Sequence, residues 1–232
     1  MTATPQGYPP ELAVGVTSRR VAQVSPTART LHKAILRGFA TMGHPPDGDQ
    51  LADVTASTGE VTQVLRELHD HDVVRLDDHG RIRAAYPFSA IPTAHAVTID
   101  GGPTVWAMCA IDALGIAEML HLPIMITSTD VASGEMIRVR VRSGHTSWLP
   151  DTAVVFVGSD TIAASAGEEC SLPDGACVIA AADRCCGVMN FFAGPDTAKA
   201  WRSAHPEVSG IVLTQRQALQ LGADIFGRLL DD

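Results

Sequence analysis

Several features that mark common classes of protein are scarce or missing in this chain. Aromatic residues make up 5% and charged residues 19% of its 232 residues. The most apolar stretch, Met108–Thr127, contains Asp112, Glu118 and Pro123, so no uninterrupted span of about 20 apolar residues is left to cross a membrane. The first twenty residues lack the apolar core of a secretory signal. We therefore expect a cytoplasmic protein without a membrane partner.

The usual nucleotide-binding and hydrolase motifs are missing as well. The sequence contains no P-loop, no GxGxxG, no GxSxG and no HExxH, and it therefore predicts no nucleotide or flavin cofactor. Basic residues are outnumbered, with 17 Lys and Arg against 26 Asp and Glu, which gives a net charge of −9. This acidic balance argues against nucleic acid as the main partner.

The cysteines do not form a recognisable structural framework. There are five of them, and no two are spaced as CxxC. An odd number in a cytoplasmic chain argues against a set of disulfides, and the spacing argues against a tetrahedral structural zinc site, although Cys170 and Cys177 could contribute to one. All five follow residue 100: Cys109, Cys170, Cys177, Cys185 and Cys186.

The order of local patterns predicts an α+β protein in three parts. Residues 1–24 are expected to be a flexible lead-in, rich in Pro, Thr and Gly. Residues 25–90 contain three helical patterns, the first capped by Ser25 or Thr27, and then a hairpin around Asp77–Gly80, which is the order of a winged helix. Residues 91–232 are expected to form a mixed α+β core with mainly antiparallel strands.

Within this core, one helix and five strands are predicted before the closing helices. The helix should run from Thr104 to about Leu120, and the last helix should start at a capping box formed by Thr214 and Gln217. The strands are expected at 96–99, 123–127, 136–141, 153–157 and 176–181, and the apolar stretch Val188–Phe192 is a further strand candidate.

The Thr104–Leu120 segment contains the first pair of residues that could carry chemistry. Cys109 and Asp112 are three residues apart, which places them on one face of a helix and, with the apolar stripe, toward the interior. Burial raises the pKa of a carboxyl group, so that it can exchange a proton with a neighbouring thiol. The alternative is that Cys109 is a small core residue and that Asp112 binds a backbone donor.

A second candidate lies at Asp183–Gly187, which contains Cys185 and Cys186. Two adjacent cysteines on a strand point to opposite faces, so only one of them is expected to point into a site. Thiolates select soft metals. A packing pair or a regulatory redox pair is the alternative.

These two segments together resemble a known family. The run Trp106–Leu114 resembles the first active-site segment of the organomercurial (alkylmercury) lyases, a Trp-Cys-Ala-Leu-Asp-type stretch. The run Cys186–Ala193 resembles the second, in which a cysteine is followed five residues later by Phe-Phe. The stretch Asp151–Phe156 and the closing helix Gln217–Leu230 agree with the family too, and the resemblance covers about residues 28–230.

Residue by residue, the resemblance implies that Cys109 is the first catalytic cysteine and Asp112 the catalytic acid. The spacing to Phe191-Phe192 assigns the second cysteine to Cys186, with Cys185 as the fallback. Two departures stand out. The tryptophan lies three residues before Cys109 instead of directly before it, and some relatives carry an additional cysteine where this chain has Ser128–Asp130.

The activity implied is protonolysis of a carbon–mercury bond in mercury detoxification. An organomercurial is the substrate, and Cys109, Cys186 and Asp112 would hold the mercury as substrate and then as the Hg(II) product. No cofactor is implied. External thiols are needed for turnover, and cellular thiols or a mercuric reductase would accept Hg(II).

Two other functions compete with this one. A winged-helix front and a rear part with several thiols would suit a metal-sensing transcriptional regulator, although the expected recognition helix Gly59–His69 has one Arg against two Glu, which argues against DNA. A divergent family member could also bind a soft metal without cleaving anything.

Overall fold

The structure is a computed structural model that describes residues 8, 16–55, 58–142, 145–158 and 187–231. The first part of the chain is helical. Ser25 caps the second helix: its hydroxyl oxygen accepts from the amide of Ala28, and Pro26 opens the helix. A capping box of Asp47 and Gln50 starts the third helix. The helices are α1 (Val16–Gln23), α2 (Pro26–Met42), α3 (Gly48–Ala52) and α4 (Thr58–Asp70).

Helix α1 lies inside the segment that we expected to be a flexible lead-in. Arg20 on α1 forms an ion pair with Asp72, with 2.6 Å between Nη1 and Oδ2, and the Asp72 side chain is only 1% exposed. The hydroxyl of Tyr86 donates to the other carboxylate oxygen at 3.1 Å. The prediction for 1–24 is therefore wrong at residues 16–23, because the partner that anchors this helix lies far along the chain.

An eight-stranded sheet forms the centre of the fold, in the order β1-β2-β3-β5-β4-β6-β7-β8. Because β3 pairs with β5, strands from both sides of residue 90 belong to the same sheet. The division into domains at 90/91 stays a prediction. The strands are β1 (Val74–Leu76), β2 (Ile82–Ala85), β3 (Phe88–Ser89), β4 (Ala96–Ile99), β5 (Thr104–Ala107), β6 (Ile124–Thr129), β7 (Met136–Arg142) and β8 (His145–Leu149).

A second, three-stranded sheet has the order β10-β9-β11. It consists of β9 (Val154–Gly158), β10 (Asn190–Phe192) and β11 (Gly210–Leu213). All five residues of β9 are buried. Helix α6 (Pro195–Ala204) follows β10, and α7 (Gln215–Phe226) follows β11. Thr214 caps α7 through the predicted capping box with Gln217.

The helix α5 (Ala110–Leu120) crosses α7 at close range. A Cβ atom on Gly115 would lie 2.4 Å from Cδ2 of Phe226 and 2.8 Å from the carbonyl oxygen of Gly222. Only a residue without a side chain fits at this crossing. Packing against α7 therefore fixes the position of α5, which carries the candidate active-site residues at its N-terminus.

The expected fold class is confirmed. All pairings of the described strands are antiparallel, and the helices and hairpin of the first part occur in the predicted order. Strand β8 was not expected, because four of its five residues are exposed and it has no apolar alternation. The strand predicted at 176–181 lies outside the described residues. In the described ranges, no helix has the length and apolar character that crossing a membrane requires.

Candidate active site

Cys109 lies at the junction between β5 and α5, where it is the N-cap of the helix in an extended conformation. The prediction that this helix starts at Thr104 is therefore wrong. Residues Thr104–Ala107 form β5, which pairs with β3 and β4. The run Thr104-Val105-Trp106 is rich in β-branched and aromatic side chains, which favour a strand. Strand β5 ends two residues before Cys109, and α5 begins directly after Cys109.

Asp112 lies in the first turn of α5 and is close to the Cys109 thiol. The Asp112 amide donates to Cys109 Sγ at 3.4 Å, and Cys109 is 3% and Asp112 6% exposed. Burial raises the pKa of Asp112 to about 7, although hydrogen bonds from the Cys109 side chain and backbone act in the opposite direction. A carboxyl group with this pKa can both accept and return a proton near neutral pH.

The N-terminus of α5 favours an anion at the Cys109 sulfur. The first amides of a helix have no partner within the helix, and their partial positive charge favours an anion nearby. Cys109 Sγ accepts from one of these amides, that of Asp112. The backbone would therefore stabilise a thiolate at this position, as it does for reactive cysteines at helix N-termini. The predicted proximity of the thiol and the carboxyl group is confirmed, although Cys109 precedes the helix instead of lying on it.

The described part of the second cysteine segment lies against the first. The amide of Ala110 donates to the carbonyl oxygen of Met189 at 3.1 Å. The thiol of Cys109 contacts the thioether of Met189, with 3.6 Å between Sγ and Sδ. In addition, the amide nitrogen of the Asn190 side chain donates to the Gly187 carbonyl at 3.0 Å, which closes the turn before β10. The two segments therefore meet at Cys109 and Met189.

Buried aromatic rings pack beside the contact between Cys109 and Met189. Phe191 on β10 has no exposed surface. It is in edge contact with His95, at 5.7 Å between ring centroids, and with Trp148, at 5.9 Å. Burial lowers the pKa of His95 to about 4, so this ring is neutral at physiological pH, and its Nδ1 is 2.9 Å from the Ser128 hydroxyl. His95 thus has a structural role that the scattered histidines of the sequence did not indicate.

A buried carboxylate connects the end of β10 to the large sheet by hydrogen bonds. Asp130, which has no exposed surface, accepts from the amide of Ala193 at 2.7 Å and from the amides of Ala132 and Ser133. These hydrogen bonds, together with one from Thr197, lower the pKa of Asp130 although burial acts to raise it. Asp130 therefore links the turn after β6 to the end of β10.

The second predicted cysteine and its fallback belong to a segment before the described turn at Gly187. Cys186 and its fallback Cys185 lie outside the described residues, as do Cys170 and Cys177. Within the ranges that are described, no three His, Cys, Asp or Glu side chains come together in a group that could hold a metal ion. The assignment of Cys186 remains a prediction, and so does the mercury-binding role of Cys109, Asp112 and Cys186.

Comparison with known proteins identifies the family. The family model of the alkylmercury lyases (MerB) matches residues 88–227, more than half of the chain, and the match includes both cysteine segments. The chain belongs to the alkylmercury lyase family. The family expected from the two cysteine segments is thereby confirmed.

Sequence identity to individual alkylmercury lyases supports this family membership. The alkylmercury lyase of Staphylococcus epidermidis is 31% identical over 181 residues, which are 76% of this chain and 74% of that protein. The alkylmercury lyase of Streptomyces lividans is 31% identical over 189 residues, 81% of this chain and 78% of that protein. The crystal structure of the mercury-bound form of MerB2 superimposes with a TM-score of 0.70 at 23% identity, covering 93% of this chain and 97% of that one, so the fold is shared.

Proposed function

We propose that this alkylmercury lyase cleaves the carbon–mercury bond of organomercurials by protonolysis with Cys109, Asp112 and Cys186, in mercury detoxification. The observation that carries the proposal is the pairing of a buried thiol with a buried carboxyl group at one helix N-terminus. Soft thiolates bind mercury, and the carboxyl group moves the proton that the reaction requires.

The first step forms the bond to mercury. Asp112 accepts the proton of the Cys109 thiol, and the thiolate binds the mercury of R–Hg⁺ in place of an exchangeable ligand. The thiol of Cys186, or of Cys185 if the register is shifted by one residue, binds as the second ligand and gives up its proton to the departing ligand. The higher coordination of mercury pushes electron density onto carbon.

The second step breaks the carbon–mercury bond. Asp112 donates its proton to carbon as the electron pair of the bond moves to that carbon, and R–H leaves. Because the pKa of Asp112 is about 7, neither its protonated nor its ionised form is rare near neutral pH. One group can therefore serve as base in the first step and as acid in the second.

The Hg(II) product stays on the cysteine thiolates until another thiol takes it. Cellular thiols or a mercuric reductase are the proposed acceptors, and no organic cofactor takes part. Reactive free thiols persist in a reducing compartment, which is the reason to place the protein in the cytoplasm. A winged-helix metal-sensing regulator, the other class considered for the chain, would require neither Asp112 nor hydrocarbon release.

The direct test is hydrocarbon release from a purified sample. We expect benzene from phenylmercury in the presence of excess thiol, and none from the Cys109→Ser variant, because a hydroxyl is a poor ligand for a soft metal. Cys170→Ser is the matched control, since Cys170 lies in neither cysteine segment. Mercury binding without benzene would indicate a divergent family member that holds a soft metal and cleaves nothing.

A further inference from the structure

Met189 is the described side chain of the second segment that touches the reactive thiol. Its sulfur lies 3.6 Å from Cys109 Sγ. Its carbonyl accepts from Ala110, so the backbone at Met189 is fixed to the start of α5. Met189 is only partly buried, whereas Cys109 is 3% exposed. Met189 is therefore a partly exposed residue whose sulfur contacts the buried thiol.

The separation of the two sulfurs suits binding of a single metal atom. In zinc sites the metal–sulfur bonds are about 2.3 Å long, which puts two sulfurs of a tetrahedral ion about 3.8 Å apart. In this structure the Cys109 thiol donates a hydrogen bond to the Met189 sulfur at 3.6 Å, so the two sulfurs face each other at nearly the separation that a shared metal atom would require. A thioether is a soft, polarizable donor that suits soft metals. It is neutral and loses no proton when it binds, so Asp112 remains free to serve Cys109.

We propose that the thioether of Met189 binds the mercury atom of the substrate together with Cys109. This inference rests on the function proposed above and adds a ligand to it. A neutral third donor would raise the coordination of mercury and so weaken the bond to carbon, without adding the negative charge of a third thiolate. It would also hold an incoming organomercurial next to the buried thiol.

Ordinary packing is the competing explanation, because Met189 also contacts the hydrophobic core. Leucine has nearly the same volume and apolar character as methionine but has no sulfur. Met189→Leu therefore preserves packing and removes only the donor. Met119→Leu is the control for the exchange of methionine for leucine: Met119 is buried, and it lies on α5 ten residues after Cys109, about 15 Å away at 1.5 Å per residue.

The experiment combines binding and NMR measurements on the full chain. Binding of Hg(II) alone is measured in competition with a dithiol chelator. We expect Met189→Leu to weaken it about tenfold, the lower end of what loss of a supporting group costs at a metal site, and Met119→Leu to leave it within about twofold. With methyl-¹³C methionine, the chain has seven methyl signals, and the one that disappears in Met189→Leu belongs to Met189.

One equivalent of Hg(II) should shift this signal in the unsubstituted protein and leave that of Met119 in place. An unmoved Met189 signal, or equal Hg(II) affinity of Met189→Leu and the unsubstituted protein, would overturn the proposal. The NMR measurement is made on the unsubstituted protein, and Met189→Leu serves there only to assign the signal. Both measurements use Hg(II) and involve no cleavage. If the unsubstituted protein released no hydrocarbon, the proposed function would fail, and that result is separate from the Met189 measurement.

Discussion

The buried carboxyl group of Asp112 should make the mercury-free protein less stable as the pH rises toward neutrality. Burial raises its pKa from 3.8 to about 7, so between these values the folded protein holds a proton that the unfolded chain has lost. The contribution of Asp112 is fully present below pH 3.8 and is lost as the pH rises to about 7. At about 1.4 kcal/mol per pH unit, the whole effect is about 4 kcal/mol of unfolding free energy.

The Asp112→Asn variant isolates this effect, because its side chain has the same shape and does not titrate. Urea unfolding with a thiol reductant, from pH 5 to pH 8, gives the unfolding free energy of both proteins. The stability of the unsubstituted protein, relative to that of the variant, should fall by about 2.5 kcal/mol over this range. Parallel pH profiles would show instead that Asp112 ionises alike in the folded and unfolded chains.

Three further substitutions, two of them paired with a control variant, test the helix crossing, the Asp130 links and the second cysteine. Gly115→Ala should lower the unfolding free energy by about 1–3 kcal/mol, because a Cβ would lie 2.4 Å from Phe226; Gly48→Ala, with nothing within 4 Å, should leave the melting temperature unchanged or slightly higher. Asp130→Ala should cost about 2–4 kcal/mol in urea unfolding, because it leaves three backbone amides without their acceptor; a loss below 1 kcal/mol would contradict this. Cys186→Ser should reduce hydrocarbon release far more than Cys185→Ser, and the opposite ranking would shift the register by one residue.

Features of the fold that depend on neighbouring residues could be predicted from the sequence. Ser25 caps α2, and the capping box of Thr214 with Gln217 starts α7, because each cap needs only residues three positions apart. The Asp77–Gly80 turn between β1 and β2 is also local. The spacing of Cys109 and Asp112 likewise sufficed to predict that they lie side by side.

Features that depend on distant residues could not be predicted. Thr104–Ala107 continues an apolar helical pattern in the sequence, but its pairing with β3 and β4 makes it a strand. The contact between Cys109 and Met189 joins residues 80 positions apart, and the bond from Ala193 to Asp130 spans 63 positions. A methionine in an apolar run gives no local signal that its sulfur faces a thiol.

Asp112 is proposed to supply the proton that releases the hydrocarbon. Single-turnover benzene release from phenylmercury by folded Asp112→Asn measures this role, with mercury binding followed on the same sample. We expect part of the mercury binding to survive on the thiols while the release rate falls by about 10²–10⁴-fold, the usual contribution of general acid–base catalysis. Release at the rate of the unsubstituted protein would mean that Asp112 does not supply the proton and is only a buried part of the helix start.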